Sequence, residues 1–308
     1  MEFKDVETKR QTYYEKLRNG YLISFGISVI LSIVVLFASG SGSGFGLIII
    51  LLFSIIFFGG IGAIVTSFAT RQEATDYRRA YKAYFIERNL AQTFTNLSYS
   101  HEKGLARQIL SDTGMVNTGN VYDSNDFTSG SYKNTAFAQA DVHIQTEYTD
   151  SDGNTQYITI FRGRAMIFEF PKKFNFKLEL VGRKFRAYRV PGKDKATQRK
   201  MTKISTESNE FDHVFKTYGE DGFEAFYILN PKIMSRMIDI SEHYKNKILF
   251  GFTDNRLFIL LDNGKDSFEP PRPNRPIDEQ AELAKVAADI KVVTDFVDQL
   301  SLERKIFI

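Results

Sequence analysis

The sequence predicts a membrane helical hairpin of two transmembrane helices, followed by a cytoplasmic α+β domain with a largely antiparallel sheet and a C-terminal amphipathic helix. Three observations predict this class. No charged residue stands between Arg18 and Arg71. Beyond residue 97, short strand-like segments are separated by turn signals such as Asp152-Gly153 and Asp254-Asn255, which is how antiparallel strands read. Near the end, Leu283, Val286, Ala287, Ile290, Val293, Val297 and Leu300 recur at three- and four-residue spacing, the mark of a helix with one apolar face.

The uncharged stretch divides into apolar runs at 21–39 and 47–69, joined by the low-complexity segment SGSGSGFG. At about 1.5 Å rise per residue, either run as a helix covers roughly the 30 Å hydrocarbon core. A bilayer accepts such runs as helices because each backbone N–H and C=O is then paired within the segment. A cleaved signal peptide fits poorly, since its apolar region is shorter and no second span follows it at once.

Orientation follows from the flanks. Lys4, Lys9, Arg10, Lys16 and Arg18 precede the first run, and Arg71, Arg78, Arg79, Lys82 and Arg88 follow the second, while the joining loop has no basic residue. Lysine and arginine stay on the cytoplasmic side, so both termini are expected there. The domain plan is a cytoplasmic N-terminal helix over 1–20, the hairpin over 21–69, a juxtamembrane helix over 70–96 and a cytoplasmic α+β domain over 97–308. The chain has no cysteine, which suits a reducing compartment and excludes a disulfide framework, a thiolate metal site and a cysteine nucleophile. Its net charge of +3 and its 28 Phe and 15 Tyr without Trp leave enough apolar content for a sizeable soluble core besides the spans.

The juxtamembrane helix carries Tyr77, Tyr81, Tyr84, Phe85, Ala91 and Phe94 at helical spacing. That stripe either lies in the headgroup zone or packs on the N-terminal helix or the soluble domain; packing is the usual meaning of such a stripe. Residues 101–111 read as a short helix after the N-cap Ser100 and before Gly114. Residues 117–134, rich in Gly, Ser, Asn, Asp and Thr, read as a surface loop. Strands are expected at 139–148 and 156–161 around the Asp152-Gly153 turn, at 164–170 and 174–181 on either side of Pro171, and at 224–229. Asn230 and Pro231 stand in the favoured cap and first-turn positions of a helix reaching His243. A second hairpin is expected at 247–252 and 256–261. A proline-rich spacer, EPPRPNRPID, leads to the final helix, whose apolar face suits a sheet of its own domain better than a coiled-coil seam, because the heptads are too few.

Motifs for chemistry come close and fail. Asp150, Asp152 and Asn154 match the first ligand spacings of a calcium loop, but Thr155 holds the glycine position and Phe161 the glutamate position. Gly264-Lys265 resembles the end of a phosphate loop, but Asp266 replaces the required Ser or Thr and Ile259 the first Gly. His101, His143, His213 and His243 show no ligand spacing. Carboxylates at Glu210, Asp212, Glu220, Asp221 and Glu224 cluster around Tyr218-Gly219, and an unrecognised catalytic site near Glu220 to Glu224 is kept as the alternative to a binding role. No catalytic, cofactor or metal residue is assigned, and the balance is against an enzyme.

One surface feature survives. Arg183, Lys184, Arg186, Arg189, Lys193, Lys195, Arg199, Lys200 and Lys203 form a basic stretch with Asp194 as its single acid. For a tethered domain the nearest polyanion is the inner leaflet, where each basic residue contributes about 1 kcal/mol. Nucleic acid is a weaker candidate, raised by Phe185 and Tyr188 among the charges. A solvated loop without specific use is the bland alternative.

The segment EFDHVFKTYGEDGFEAFYILNP, followed by KIMSRMIDISEHYKNKILFGFTDNRLFILLDNGKDSFEP, resembles a bacterial membrane-protein family known only as domain of unknown function "three-one-three-seven". Upstream, the hairpin, YSHEKGL, SDTG and FRG at 161–163 agree. Phe226 and Asn230 depart from the pattern, where a basic residue and a Ser or Thr are usual. The resemblance implies a membrane-anchored cytoplasmic domain in a bacterial plasma membrane and supplies no catalytic residues. The expected function is a membrane-anchored interaction module, with the lipid bilayer and an unidentified protein as partners and self-association as a further option.

Overall fold

In a computed structural model the chain is described over residues 1–38, 44–193, 200–220 and 222–302. The SGSGSG segment thus falls mostly outside the described residues. The chain forms two compact units, Met1–Arg88 with Glu269–Ala284, and Asn89–Phe268 with Lys285–Ile308.

The first unit begins with α1 (Phe3–Ala38), a single helix of 36 residues that merges the expected N-terminal helix with the first span. It is followed by α2 (Gly44–Ala69) and α3 (Arg71–Tyr81), then a π-helical turn over Lys82–Glu87. Both spans are apolar enough to cross a membrane, and only 11% and 6% of their apolar windows are buried; a core helix of a soluble protein would be mostly covered. Lys16 pairs with Glu73, a Cβ on Gly20 would meet Thr66, and one on Gly62 would meet Ser24. The two long helices therefore run antiparallel.

Small residues make the seam between them. Ser28 and Ser32 are 1% and 0% exposed. The Ser24 hydroxyl lies 3.1 Å from both the Gly62 carbonyl and the Thr66 hydroxyl. The face opposite the serines is built on Ser54, Gly62 and Thr66. Gly59 has open space where its Cβ would stand.

The tyrosine stripe packs inward. Tyr13 stacks on Tyr77, and Phe3 meets Tyr84 and Phe85. The proline-rich segment is bound as a strap. The Tyr77 hydroxyl donates to the Pro271 carbonyl at 3.0 Å, and the Arg10 guanidinium to that of Pro273. The Ile277 N–H donates to Glu7 at 3.4 Å. Lys82, buried in the π-helical turn, reaches Glu269 at 3.2 Å. Burial raises the Tyr77 phenol above its ordinary pKa.

The second unit opens with α4 (Arg88–Thr93) and holds a seven-stranded antiparallel sheet: β1 (Thr95–Ser100), β2 (Val121–Tyr132), β3 (Thr135–Thr149), β4 (Thr155–Gly182), β5 (Thr202–Ile204), β6 (Phe215–Gly219) and β7 (Ile248–Leu261). The order is β1-β2-β3-β4-β6-β5, with β7 on β4. The 28-residue β4 organises it. Its first half pairs with β3, its last residues pair with β6 on the same edge, and β7 runs along the other edge. The further described helices are α5 (Arg107–Thr113), α6 (Asn209–Val214), α7 (Gly222–Ile228), α8 (Pro231–His243) and α9 (Glu279–Leu300), whose residues from Lys285 on belong to the second unit.

Several expectations hold. Gly153, at φ 83°, closes the β3–β4 turn. The Asn230 carbonyl side chain accepts from the Ile233 N–H at 3.1 Å. On α9, Val286, Ile290, Val293, Phe296, Val297 and Leu300 are buried, with Phe296 against Phe250 and Tyr244. That face serves its own protomer, not a coiled coil.

Four expectations are corrected. The loop at 117–134 is mostly β2; its inward residues are Asp126, Thr128 and Gly130, so alternation is present without apolar side chains to reveal it. Asp254-Asn255 makes no hairpin. Asp254, at φ 52°, kinks one continuous strand opposite the place where Pro171 disturbs β4, since proline cannot donate to a ladder. The strand at 224–229 is the helix α7, a short apolar run that periodicity cannot assign. The helix at 101–111 starts only at Arg107. Before it, Gly104 runs so close to the Ser124 backbone that a Cβ would collide.

Candidate functional site

Two places in the second unit carry concentrated charge, and sequence found one of them. In the basic stretch, a turn closed by the Phe185 N–H donating to the Gly182 carbonyl at 2.9 Å leads into an irregular run in which exposed and buried residues alternate from Lys184 to Ala187. Phe185 and Ala187 point into the core beside Phe161, and Lys184 and Arg186 point to solvent. The run is pinned by backbone bonds from Asn117 N–H to Ala187 carbonyl and from Arg189 N–H to Met115 carbonyl, both 2.8 Å. Lys193, Lys200 and Lys203 are exposed and Arg189 is half-buried. Lys195 and Arg199 lie outside the described residues. Arg183 is exposed, yet its guanidinium donates to the carbonyls of His213 and Asp212 and so fixes the turn after α6. The two aromatics suggested as base-stacking platforms are committed elsewhere: Phe185 to the core, and Tyr188 to a hydroxyl bond with Glu179 at 2.7 Å and a ring contact with Tyr218.

The near-miss motifs are turns. The Asp150 carboxylate accepts from the Asp152 and Asn154 N–H groups at 3.0 and 2.8 Å, and the bond from Asn154 leads the causes that hold its pKa low. Gly264 donates to the Arg162 carbonyl at 2.8 Å in the loop after β7, with no helix following to make a phosphate cradle. Glu220 is exposed and accepts from the Lys177 N–H at 3.3 Å. Asp221 and the Glu224 side chain lie outside the described residues.

The second charged place was not legible in sequence. Asp126 sits in an irregularity of β2, Asp141 in β3, and Asp266 in the loop after β7. Each offers a carboxylate oxygen within 4.8 Å of the others. Asp126 is 1% and Asp141 5% exposed. The Tyr99 hydroxyl donates to Asp126 at 2.5 Å, and the Ser267 N–H to Asp141 Oδ2 at 2.7 Å. Opposite Asp141 on β4 stands Arg164, buried, its Nε 3.9 Å from Asp141 Oδ1. Its Nη1 donates instead to the Asp289 carbonyl on α9 at 2.6 Å, and the guanidinium lies 5.2 Å from the Phe268 ring centre.

The electrostatics follow from burial. Desolvation pushes the Asp141 carboxyl up to about 7; Arg164 and the Ser267 N–H pull it down, and Asp266 and Asp126 push it further up. A cavity of about 160 Å³ reaches the cluster, lined among others by Asn125, Asp141, His143, Arg162, Lys265 and Asp266. All-oxygen donors of this kind are suited to hard cations. Asp141 and Asp266 stand 125 residues apart in sequence, which leaves no local spacing to read, though Asp266 is the residue that spoils the phosphate-loop pattern.

Comparison with known proteins adds a family and one structural likeness. Residues 159–302 match the family model described as "Protein of unknown function (DUF3137)", the family that the sequence resembles. The comparison with curated proteins finds no significant match. Among solved structures, the chain is similar to the crystal structure of the mycobacterial trehalose monomycolate transport factor A, TtfA, at 8% identity and a TM-score of 0.36, over 72% of this chain and 94% of that one.

Proposed function

We propose that this chain is a membrane-anchored binding module, with α1 and α2 crossing the bacterial plasma membrane and the sheet unit on the cytoplasmic side. The observation that carries the reading is the antiparallel seam of two uncharged helices, in which Ser24 meets Gly62 and Thr66. Antiparallel spans bring the basic flanks, from Lys4 to Arg18 and from Arg71 to Arg88, to one side, and the positive-inside rule makes that side cytoplasmic. Binding rather than catalysis is supported by near-miss motifs that resolve into turns. The binding partner is a protein. The exposed heads of Lys184, Arg186, Lys193, Lys200 and Lys203 add attraction to anionic headgroups.

Single cysteines test this cleanly, because the chain has none of its own. In intact cells, Ser41→Cys should react with a membrane-impermeant maleimide, and Glu2→Cys and Asp152→Cys only after permeabilisation. Labelling of Asp152→Cys in intact cells would overturn the orientation. For the lipid contact, an environment-sensitive dye on Lys193→Cys should shift to the blue in nanodiscs of anionic but not neutral lipid. Salt should reverse the shift, since the Debye length is about 8 Å at physiological ionic strength. Equal spectra in both lipids would remove the lipid contact and leave the topology standing.

A further inference from the structure

Gathering three carboxylates, two of them buried and one half-buried, is unfavourable, because each loses hydration and repels the others where the dielectric is low. The cluster of Asp126, Asp141 and Asp266 does so with distant segments of the chain, which the fold must hold against that repulsion. Arg164 relieves it only in part. Its Nη1 donates to the Asp289 carbonyl and its Nη2 to nothing, and among the described residues no hydrogen bond reaches Asp141 Oδ1. Asp141 nonetheless lines the cavity.

A second unsatisfied group belongs to the same strand. Gln139 precedes Asp141 by two residues on β3 and so shares its face of the sheet. It is 1% exposed, and neither its side-chain oxygen nor its nitrogen has a hydrogen-bond partner among the described residues. Buried polar groups are nearly always paired, and exceptions call for a missing partner such as an ion or water. The open Asp141 oxygen, on a side chain 5% exposed that lines the cavity where three acids converge, calls for such a partner.

The geometry points to a divalent-cation site in which Asp126, Asp141 and Asp266 each give a carboxylate oxygen to a hard cation of the calcium, manganese or magnesium class. Oxygens within 4.8 Å of one another converge on one ion at close to the 2.3–2.6 Å that calcium prefers. The cavity of about 160 Å³ leaves room for water on its open side and a way in. The Tyr99 hydroxyl and the Ser267 N–H each donate to one oxygen of a ligand carboxylate, the orienting role that outer contacts play around a bound metal. With no cysteine in the chain and no histidine among the three, the donor set turns away from softer metals.

The test uses the full chain in detergent, stripped with chelator and dialysed. Calcium, manganese and magnesium chloride are titrated in turn by calorimetry, with thermal unfolding in parallel. One of them should bind at one ion per chain and raise the unfolding temperature, and manganese should also enhance water-proton relaxation. Asp266→Asn, on the half-buried member of the cluster, should weaken that affinity about tenfold or more and leave the metal-free unfolding temperature little changed. If the stripped protein takes up none of the three at millimolar concentration, or if Asp266→Asn binds as well as the parent, the proposal falls. It also falls if Asp141→Asn raises the stability of the stripped protein while the parent takes up no ion, since the cluster is then neutralised by a proton.

Discussion

The two units of this chain are packed by opposite rules. In the first, the large apolar side chains of the spans face outward, with Phe53 70% and Ile56 74% exposed, and Ser28, Ser32 and Thr66 are buried between the helices. In the second, Phe161, Phe168, Phe250 and Leu257 are fully buried, and Arg183, Lys184, Arg186, Lys193, Lys200 and Lys203 are exposed. With α1 and α2 placed in a bilayer as proposed above, the difference follows from what each surface is dissolved in. Lipid tails are as apolar as leucine, so burying leucine between membrane helices gains nothing and close approach of small residues decides the seam. In water the apolar area itself drives packing.

That contrast breaks most visibly at phenylalanine. Phe168→Ala, in the middle of β4, should cost about 3–5 kcal/mol, the range for removing a buried aromatic. Phe53→Ala, on the outer face of α2, should stay within about 0.5 kcal/mol, as substitutions away from packed features do. Both are read from the denaturant unfolding of the full chain in detergent. Equal losses would mean that α2 is packed against protein and is no lipid-facing span.

Glycine sharpens the same comparison inside the membrane unit. A Cβ on Gly62 would stand 2.5 Å from the Ser24 Cβ, whereas one on Gly59 would meet nothing within 4 Å. Gly62→Leu should therefore destabilise by about 1–3 kcal/mol, the usual cost of overpacking, and Gly59→Leu should be close to neutral. Thermal unfolding in detergent checks the pair. If Gly59→Leu is the damaging change, the seam runs through Gly59 and Ala63, and the serines face elsewhere.

How much of this was legible in sequence depends on whether each feature has a local signal. The spans, the Asn230 cap, the Gly153 turn and the buried stripe of α9 announce themselves over a few residues. β2 did not, because Asp126, Thr128 and Gly130 occupy its inward positions, and polarity on the buried face reads as a loop. The strap over 269–278 read as a spacer because its contacts, from Arg10, Tyr77 and Lys82, come from nearly two hundred residues or more away. The carboxylate cluster was hidden for the same reason. The basic stretch was visible as charge, but its alternation of core and surface residues around Phe185 and Ala187 was not separated from that charge.

The smallest expected effect concerns acid, and it compares how each unit holds a surface carboxylate. In the membrane unit Glu73 is held low mainly by its hydrogen bond from Lys16. In the sheet unit burial works to raise the Asp212 carboxyl, but hydrogen bonds from the Ser205 and Thr206 side chains and the Thr206 N–H, with Lys203 nearby, outweigh it and leave it below the ordinary value. A carboxyl whose pKa is lowered on folding adds stability above its unfolded pKa, near 3.9, and that stability is lost as pH falls through the folded value. Asp212→Asn should thus reduce stability at pH 7 by less than about 1 kcal/mol, because the group is solvated and its bonds are partly replaced by water. The gap between variant and parent should narrow below pH 4. A gap that stays constant from pH 7 to pH 3 in urea unfolding of the full chain would show that Asp212 acts by its shape in the turn before α6 and not by its charge.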